Sequence, residues 1–263
     1  MSVKNVKKYR FSIDDNILVF KDLANNNYSS IFENKYLSFL KSVHEKFGTK
    51  IQLNIYYETD GFLLSEMPDK YREEWESNSD WLRLSFHAYC DDSRYQDCDY
   101  DTMKRDIELV HKEIIRFAGE KSLSYYTTLH YVACPKEGVL AMRDAGIKGL
   151  VGLYGTDEKP RIPYHLTDEI SAYMRSNCFY KDEETNMFFM RNDITLNEYR
   201  MENLLDALEK HNGCEFYEIM IHEQFFHPTY KWYQGDFEEK VLFAISYLTE
   251  NSYKPAFFEE IFE

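Results

Sequence analysis

The sequence predicts an α/β fold, a barrel of about seven mainly parallel strands with helices on the outside. Short β-like runs alternate with amphipathic helical stretches along almost the whole 263-residue chain. The connections between them are short, which implies parallel strands covered by helices. Neither a GxGxxG nor a Walker-type phosphate-binding motif is present in the sequence, so the nucleotide-binding versions of this architecture have no support. We therefore expect one barrel domain over residues 1–263.

The individual elements follow from local hydrophobic patterns. Strands are predicted at short apolar or alternating runs, namely Tyr9–Ile13, 51–57, 81–87, 125–130, 148–154, 187–193 and 216–222. Helices are predicted where apolar residues recur at helical spacing, namely 36–47, 67–76, 101–118, 135–146, 196–210 and 236–249. The segment 155–186 contains Pro160 and Pro163, and we expect it to be an irregular excursion over one end of the barrel. A short run at 255–262 closes the chain.

The charge and the cysteine content exclude several classes of protein. The chain has 46 acidic and 31 basic residues, which gives a formal net charge of −15. This charge argues against nucleic acid and anionic membranes as partners, because both are bound by basic surfaces. The five cysteines have no CxxC spacing and fit free thiols in a reducing compartment. No apolar stretch reaches the length of a signal peptide or a membrane span, so we expect a cytoplasmic protein.

Acidic and imidazole side chains stand at the ends of several predicted strands. Side chains alternate across a strand, so in WLRLSFH the residues Ser85 and His87 share the face opposite Leu84 and Phe86. The strand-end residues of this kind are Asp14, Asp15, His87, His130, Asp193 and His222. Because the carboxyl ends of parallel strands meet at one mouth of a barrel, we expect these side chains to converge on one cleft.

A divalent metal ion is the cofactor that such a cleft would hold, with zinc preferred, because carboxylates and imidazoles are its ligands. Each residue alone has an ordinary structural explanation, since buried histidines are usually hydrogen-bonded and Asp pairs commonly form turns. The occurrence of all of them at strand ends favours the metal site. Cys90, Cys98 and Cys134 lie near the same mouth, and we interpret them as ordinary thiols because no basic residue adjoins them.

At these residues the sequence resembles the polysaccharide deacetylase superfamily, the metal-dependent deacetylases of carbohydrate esterase family 4. That resemblance implies a distorted (β/α) barrel. The segment FSIDDN corresponds to the family's first motif, with Asn16 in place of its Gly. The resemblance implies that Asp14 is the catalytic base and Asp15 a metal ligand. It runs in order from about residue 9 to the end of the chain.

The later motifs match the family in part. In SFHAYCDD the resemblance implies His87 as a metal ligand, but the residue four positions further is Asp91, so the third ligand is Asp91 or His130. The Arg that orients the base in the family has no counterpart in TTLHYVACP. FMRND supplies Asp193 for the family's fourth motif, and IMIHEQ supplies His222 as the catalytic acid. We expect Asp193 within hydrogen-bond reach of a ring nitrogen of His222.

Three functions remain open from the sequence. The first is metal-dependent hydrolysis of an amide or ester bond on an acylated sugar, a small carbohydrate substrate. The second is a metal-dependent sugar isomerase or epimerase, because barrels of this kind also use Asp, Glu and His at the mouth. The third is a carbohydrate-binding protein that keeps the cleft without chemistry, which the missing Arg favours.

Overall fold

The computed structural model of the protein describes residues 6–59 and 61–261. Its strands are β1 Lys8–Asn16, β2 Ile51–Thr59, β3 Phe62–Leu63, β4 Leu82–Cys90, β5 Tyr126–Thr127, β6 Gly149–Gly152, β7 Phe179–Asp182, β8 Met187–Arg191, β9 Ile194–Thr195, β10 Phe216–His222 and β11 Lys254–Pro255. Its α-helices are α1 Leu18–Asn25, α2 Lys35–Phe47, α3 Arg72–Ser77, α4 Tyr100–Ala118, α5 Lys136–Asp144, α6 Asp168–Ser176, α7 Met201–Glu209 and α8 Phe237–Glu250. Within these ranges no helix is long and apolar enough to cross a membrane.

The parallel strands follow one another around a distorted barrel. In the larger sheet β1 pairs with β2 and β10, β4 lies beyond β2, and β9 lies beyond β10, all in parallel. The smaller sheet has the order β5-β6-β8-β7, and only β7 is antiparallel. Backbone hydrogen bonds connect the two sheets on both sides: Ser124 N donates to Leu84 O at 2.8 Å, and Asp193 N donates to Glu218 O at 3.1 Å. The predicted α/β barrel of mainly parallel strands is confirmed.

Strand β1 shows how the alternation of the sequence divides the molecule into two environments. Its apolar side chains, Tyr9, Phe11 and Ile13, are fully buried in the main apolar cluster. Its polar side chains, Arg10, Ser12 and Asp14, are also buried, and they stand in register with Glu218, Met220 and His222 of β10. Polar side chains from several strands contact one another here, so the interior of the barrel is polar and the apolar core lies outside it.

A buried contact between an arginine and a glutamate lies in this polar interior. Arg10 Nη1 donates to Glu218 Oε1 at 2.5 Å, Ser12 Oγ donates to the same oxygen at 2.8 Å, and the side chains of Arg10 and Glu218 are fully buried. Burial raises the pKa of Glu218 to about 8, although Arg10 and Ser12 act in the opposite direction. Burial is the larger effect because removing a carboxylate from water disfavours its charged form.

We expect Glu218 to make the stability of the protein fall as the pH rises. Between the ordinary value of 4.5 and the folded value of about 8, the folded state holds a proton that the unfolded state has released. The free energy of unfolding then falls with pH by at most about 1.4 kcal/mol per pH unit. Glu218→Gln resembles the protonated form and lacks this slope, so urea unfolding should show the variant gaining stability relative to the wild type from pH 5 to pH 8. A relative loss over that range would mean that Glu218 is ionised in the fold.

The structure departs from the predicted elements at two places that matter for the site. The predicted strand 125–130 is a strand only over Tyr126–Thr127, and His130 begins a short 3₁₀ turn. The segment 155–186 is not wholly irregular, since it contains α6 and β7. Helix α6 begins where Thr167 accepts a hydrogen bond from Ile170 N, and a turn held by Asp182 joins β7 to β8. These caps and turns are local polar contacts that the hydrophobic pattern does not reveal.

Candidate metal and catalytic site

A β-bulge brings both aspartates of FSIDDN into the cleft. Along β1 and β2, Ile13 pairs with Leu53 and Asn16 with Ile55, so β1 contains one extra residue. Asp15 has φ 63°, a left-handed conformation that non-glycine residues rarely adopt. Adjacent strand residues normally point to opposite faces, and the bulge re-aims one of them. As a result Asp14 and Asp15 both line the same cleft.

A second bulge aims His87. Along β2 and β4, Ile55 pairs with Phe86 and Tyr56 with Ala88, so His87 is the extra residue of β4. The side chain is buried, at 3% exposure. Bulges are frequent beside active sites because they redirect a single side chain without disturbing the sheet.

The third member of the cluster, His130, comes from the turn after β5. Asp15 Oδ1 lies 3.0 Å from His87 Nε2 and 3.5 Å from His130 Nδ1, and the two ring nitrogens are 3.2 Å apart. The residues that follow His130, Tyr131 and Val132, have φ values of 61° and 48°. Such strained backbone persists where the surrounding structure imposes it, and functional sites are common places for it.

Hydrogen bonds at the far side of each ring determine where its lone pair points. His87 Nδ1 lies 2.6 Å from the carbonyl oxygen of Thr128, and His130 Nε2 lies 3.0 Å from that of Asp91. A carbonyl only accepts, so both nitrogens must donate, which assigns the lone pairs of His87 Nε2 and His130 Nδ1 to the side facing Asp15. Two lone pairs and a carboxylate oxygen therefore face one another.

The electrostatics of the cluster favour a positive charge at this point. Burial by itself would raise the pKa of Asp15, but the neighbouring His130 and His87 hold the pKa well below its ordinary value, so Asp15 is ionised. Burial by itself would lower the pKa of His87, but the carboxylates of Asp14 and Asp15 raise it. In both cases the neighbouring groups stabilise the charged form of the residue against the cost of burial.

The donor set fits a divalent metal ion. In a tetrahedral site with ligand distances of about 2.0–2.2 Å, the ligand atoms stand about 3.3–3.6 Å apart. The three separations among Asp15, His87 and His130 are 3.0, 3.2 and 3.5 Å. One carboxylate oxygen and two imidazole nitrogens match the preference of zinc and similar borderline ions. The outer hydrogen bonds of both rings to carbonyl groups are typical of metal-ligating histidines.

The remaining two residues of the predicted mechanism flank this cluster. Asp14 is 2% exposed, and its Oδ1 accepts a hydrogen bond from Asn54 Nδ2 at 2.6 Å. His222 is the register partner of Asp14 on β10, and its Nδ1 lies 2.8 Å from Asn197 Oδ1. Because that oxygen only accepts, Nδ1 donates, and Nε2 is left for the cleft.

The two residues after His222 connect β10 to the ligand cluster. The buried carboxylate of Glu223 accepts hydrogen bonds from the backbone N–H groups of Ile17, Leu18 and Val19 at 2.7, 3.0 and 2.6 Å, so it caps the start of α1. Gln224 Nε2 donates to Asp15 Oδ2 at 2.6 Å. This bond occupies one carboxylate oxygen of Asp15 and leaves Oδ1 for the ion.

Two expectations about acidic residues differ from the structure. The expected hydrogen bond between Asp193 and His222 is wrong: Asp193 Oδ1 is 2.7 Å from Arg191 Nε, and Oδ2 accepts from Glu218 N at 2.8 Å. Arg191 stands two residues earlier on the same face and binds the carboxylate inside the barrel, outside the cleft. Asp91 borders the cleft, but its exposed side chain is not part of the cluster, and only its backbone carbonyl contacts His130.

The sequence prediction did not include Asn54, Tyr56 and Gln224, whose side chains contact Asp14 or Asp15. In IQLNIYY, Gln52, Asn54 and Tyr56 share one face of the strand. This alternation indicates a polar face and could have added Asn54 and Tyr56 to the predicted cleft. Gln224 follows a histidine in a turn, and nothing in its spacing indicates contact with Asp15.

The cleft opens at the carboxyl ends of the strands and has a volume of about 670 Å³. Two exposed aromatic rings stand at its mouth, Tyr131 at 50% and Trp232 at 59% exposure. Each ring carries a cation on one face: Arg94 lies 4.0 Å from the centroid of Tyr131, and Lys231 lies 3.8 Å from that of Trp232. The strand ends of this barrel therefore present, in one cleft, a carboxylate–imidazole cluster with the donor atoms that a divalent ion requires.

Solved structures identify the fold more closely. The chain resembles a family 4 acetyl xylan esterase from Clostridium thermocellum in complex with a cobalt ion, with 11% identity and a TM-score of 0.54 over 97% of this chain and 90% of that one. It resembles a CE4 family pseudoenzyme from Bacillus anthracis, with 10% identity and a TM-score of 0.52 over 98% of this chain and 66% of that one. A 4-alpha-glucanotransferase from Thermococcus litoralis has 13% identity and a TM-score of 0.63 over 97% of this chain and 40% of that one.

These likenesses confirm, at the level of fold, the resemblance drawn from the sequence motifs. The chain has the fold of the carbohydrate esterase family 4 deacetylases. No known family profile matches the sequence, and no curated protein matches it significantly. At identities of 10–13% the structural likeness establishes the fold alone.

Proposed function

We propose that the protein is a zinc-dependent hydrolase that removes an acyl group from a carbohydrate. The observation that carries this proposal is the convergence of Asp15 Oδ1, His87 Nε2 and His130 Nδ1 within 3.5 Å of one another. The predicted base Asp14 and the predicted acid His222 border the same cleft.

The chain's own residues divide the chemistry between them. A zinc ion held by Asp15, His87 and His130 would supply Lewis acidity toward the acyl oxygen and a more acidic water. Asp14, held through Oδ1 by Asn54, takes the proton of the attacking water on its other oxygen. His222, whose Nδ1 donates to Asn197, turns Nε2 to the cleft, and in the doubly protonated form of the ring this nitrogen transfers a proton to the leaving group.

The mouth of the cleft supports a carbohydrate as the substrate. Tyr131 and Trp232 expose half or more of their surface there, and an aromatic face combines an apolar surface with a polar edge. Such rings suit the apolar faces of a sugar, while Arg94 and Lys231 occupy only one face of each ring.

A non-catalytic carbohydrate-binding role is the second candidate, and two observations favour it. His222 is held by the neutral amide of Asn197, whereas a carboxylate would stabilise the charged ring that an acid requires. Asp14 is held by the amide of Asn54, and within the described part of the chain no arginine contacts its carboxylate.

The release of acetate separates the two candidates. The protein is stripped with a chelator, reloaded with zinc and incubated with N-acetylated and O-acetylated oligosaccharides. We expect acetate release that depends on zinc and falls to background in Asp14→Asn, while this variant still binds zinc. Zinc-loaded wild type that releases no more acetate than Asp14→Asn, yet binds the same sugars, would establish the binding role instead.

A further inference from the structure

Tyr56 lies against the ligand cluster, although the mechanism proposed above does not use it. Its hydroxyl oxygen is 2.5 Å from Asp15 Oδ1 and 3.0 Å from His130 Nδ1. The residue is 3% exposed. Its ring centroid is 5.3 Å from that of His87 and 5.2 Å from that of His130. Packing against both imidazoles fixes the phenol where its oxygen faces the cluster.

The phenol oxygen adjoins two atoms of the ligand cluster. It lies 2.5 Å from Asp15 Oδ1 and 3.0 Å from His130 Nδ1, whereas the ligand atoms of one ion stand about 3.3–3.6 Å apart, so the phenol must move outward by about 1 Å to become a ligand. Zinc in proteins almost always has four ligands when the site is closed, and Asp15, His87 and His130 provide three. Among the described residues, these three are the whole set of carboxylate, imidazole and thiolate groups that meet at this point.

The number of protons available for hydrogen bonds in the cluster also indicates that a cation belongs at this position. The protons of the two rings are committed to the carbonyl groups of Thr128 and Asp91. The hydroxyl proton of Tyr56 can satisfy Asp15 Oδ1 or His130 Nδ1 but not both. Three acceptor atoms, Asp15 Oδ1, His87 Nε2 and His130 Nδ1, then share one proton, and unpaired buried acceptors that face one another are costly unless a cation joins them.

We propose that Tyr56 is the fourth ligand of the metal centre, so that the ion is held by an Asp–His–His–Tyr set. This inference rests on the proposed function for the presence of the ion and adds the coordinating oxygen. On binding, the phenol proton is released to solvent, as protein ligands generally release theirs. In the resting centre a residue of β2 then occupies the position that a catalytic zinc keeps for water, so water or substrate must displace the phenol oxygen before hydrolysis.

Copper(II) is the probe for this proposal, because a copper-bound phenolate gives a visible charge-transfer band that a phenol outside the coordination sphere does not. Chelator-stripped wild type is titrated with copper(II), and zinc affinity is measured by competition with a chromophoric chelator. We expect the band in the wild type and its loss in Tyr56→Phe, together with a loss of zinc affinity of at least about 10-fold. The matched control is Tyr57→Phe, because Tyr57 is the next residue of β2 and stacks on Tyr89 instead.

The outcomes separate this inference from the proposed function. Wild type that binds neither ion overturns the metal centre itself. Wild type that binds both ions without a charge-transfer band, with zinc affinity unchanged in Tyr56→Phe, overturns only the role of Tyr56. A band that persists in Tyr56→Phe and disappears in Tyr57→Phe would show that the ligand is Tyr57 and would overturn the assignment to Tyr56. Circular dichroism of both variants shows whether either substitution disturbs the fold.

Discussion

Replacing His87 by Ala should lower the zinc affinity of the protein by more than about 100-fold, beyond the 10–100-fold that loss of an outer-shell contact costs. In the proposed centre the ring is one of two imidazole ligands, and its Nδ1 bond to Thr128 fixes the orientation of that ligand. The ring is buried, so His87→Ala leaves a polar cavity. A water molecule in that cavity would be a weaker metal ligand than the imidazole nitrogen. Zinc content of the purified protein and a competition titration would measure the change.

The same experiment has an internal comparison. His44 stacks on Trp81 with a centroid distance of 4.4 Å and lies on α2, outside the cluster. His44→Ala should therefore keep its zinc while losing some packing. Asp15→Asn tests the carboxylate at the same centre, because Asn tolerates the left-handed conformation better than Ala does. Unchanged zinc content in both His87→Ala and Asp15→Asn would reject the assignment of the ligands.

Replacing His222 by Ala should reduce the turnover of an acylated sugar by about 10²–10⁴-fold. Its Nε2 faces the cleft as the donor for the leaving group, whereas Nδ1 is occupied by Asn197. Zinc content should remain that of the wild type, because His222 is not a member of the ligand cluster. Steady-state kinetics on zinc-loaded protein gives the fold-change.

A structural role for His222 predicts a different set of measurements. The histidine begins the turn HEQFFHP, whose Glu223 caps α1 and whose Gln224 binds Asp15. If His222 only anchors this turn, His222→Ala lowers the melting temperature and leaves turnover per folded molecule intact. The melting temperature and kcat of His222→Ala therefore distinguish a catalytic acid from a residue that only anchors the turn.

The strands that carry the site were predictable because their patterns are strong. The run FYEIMIH was predicted as 216–222, and β10 has those bounds. The alternation in β1 and β4 separated Asp14 and His87 from the apolar faces, and Asp15 was expected in the same cleft because it stands at the end of a strand. What alternation could not predict is a bulge, because an extra residue changes the facing of a side chain without changing the hydrophobic pattern.

The partners of the site residues were less predictable than the residues themselves. Asp193 was expected beside His222 because both end strands, but Arg191 on its own strand competes for the carboxylate. The choice between Asp91 and His130 as third ligand depended on a turn with left-handed residues, which no local propensity indicates. Tyr56 and Gln224 act over sequence separations of 41 and 209 residues from Asp15, far beyond any local motif.

The contact between the turn after β10 and the start of α1 has a consequence for how the protein folds. Glu223 and Gln224 reach residues that precede them by more than 200 positions, whereas Asp15, His87 and His130 all lie in the first half of the chain. The chain-closure entropy of so long a loop must be met before these contacts form, which slows folding and places them late. An ion that requires Asp15 in its final orientation would therefore bind tightly only after the last parallel strand has docked. The time course of metal uptake during refolding would therefore report when β10 docks against β1.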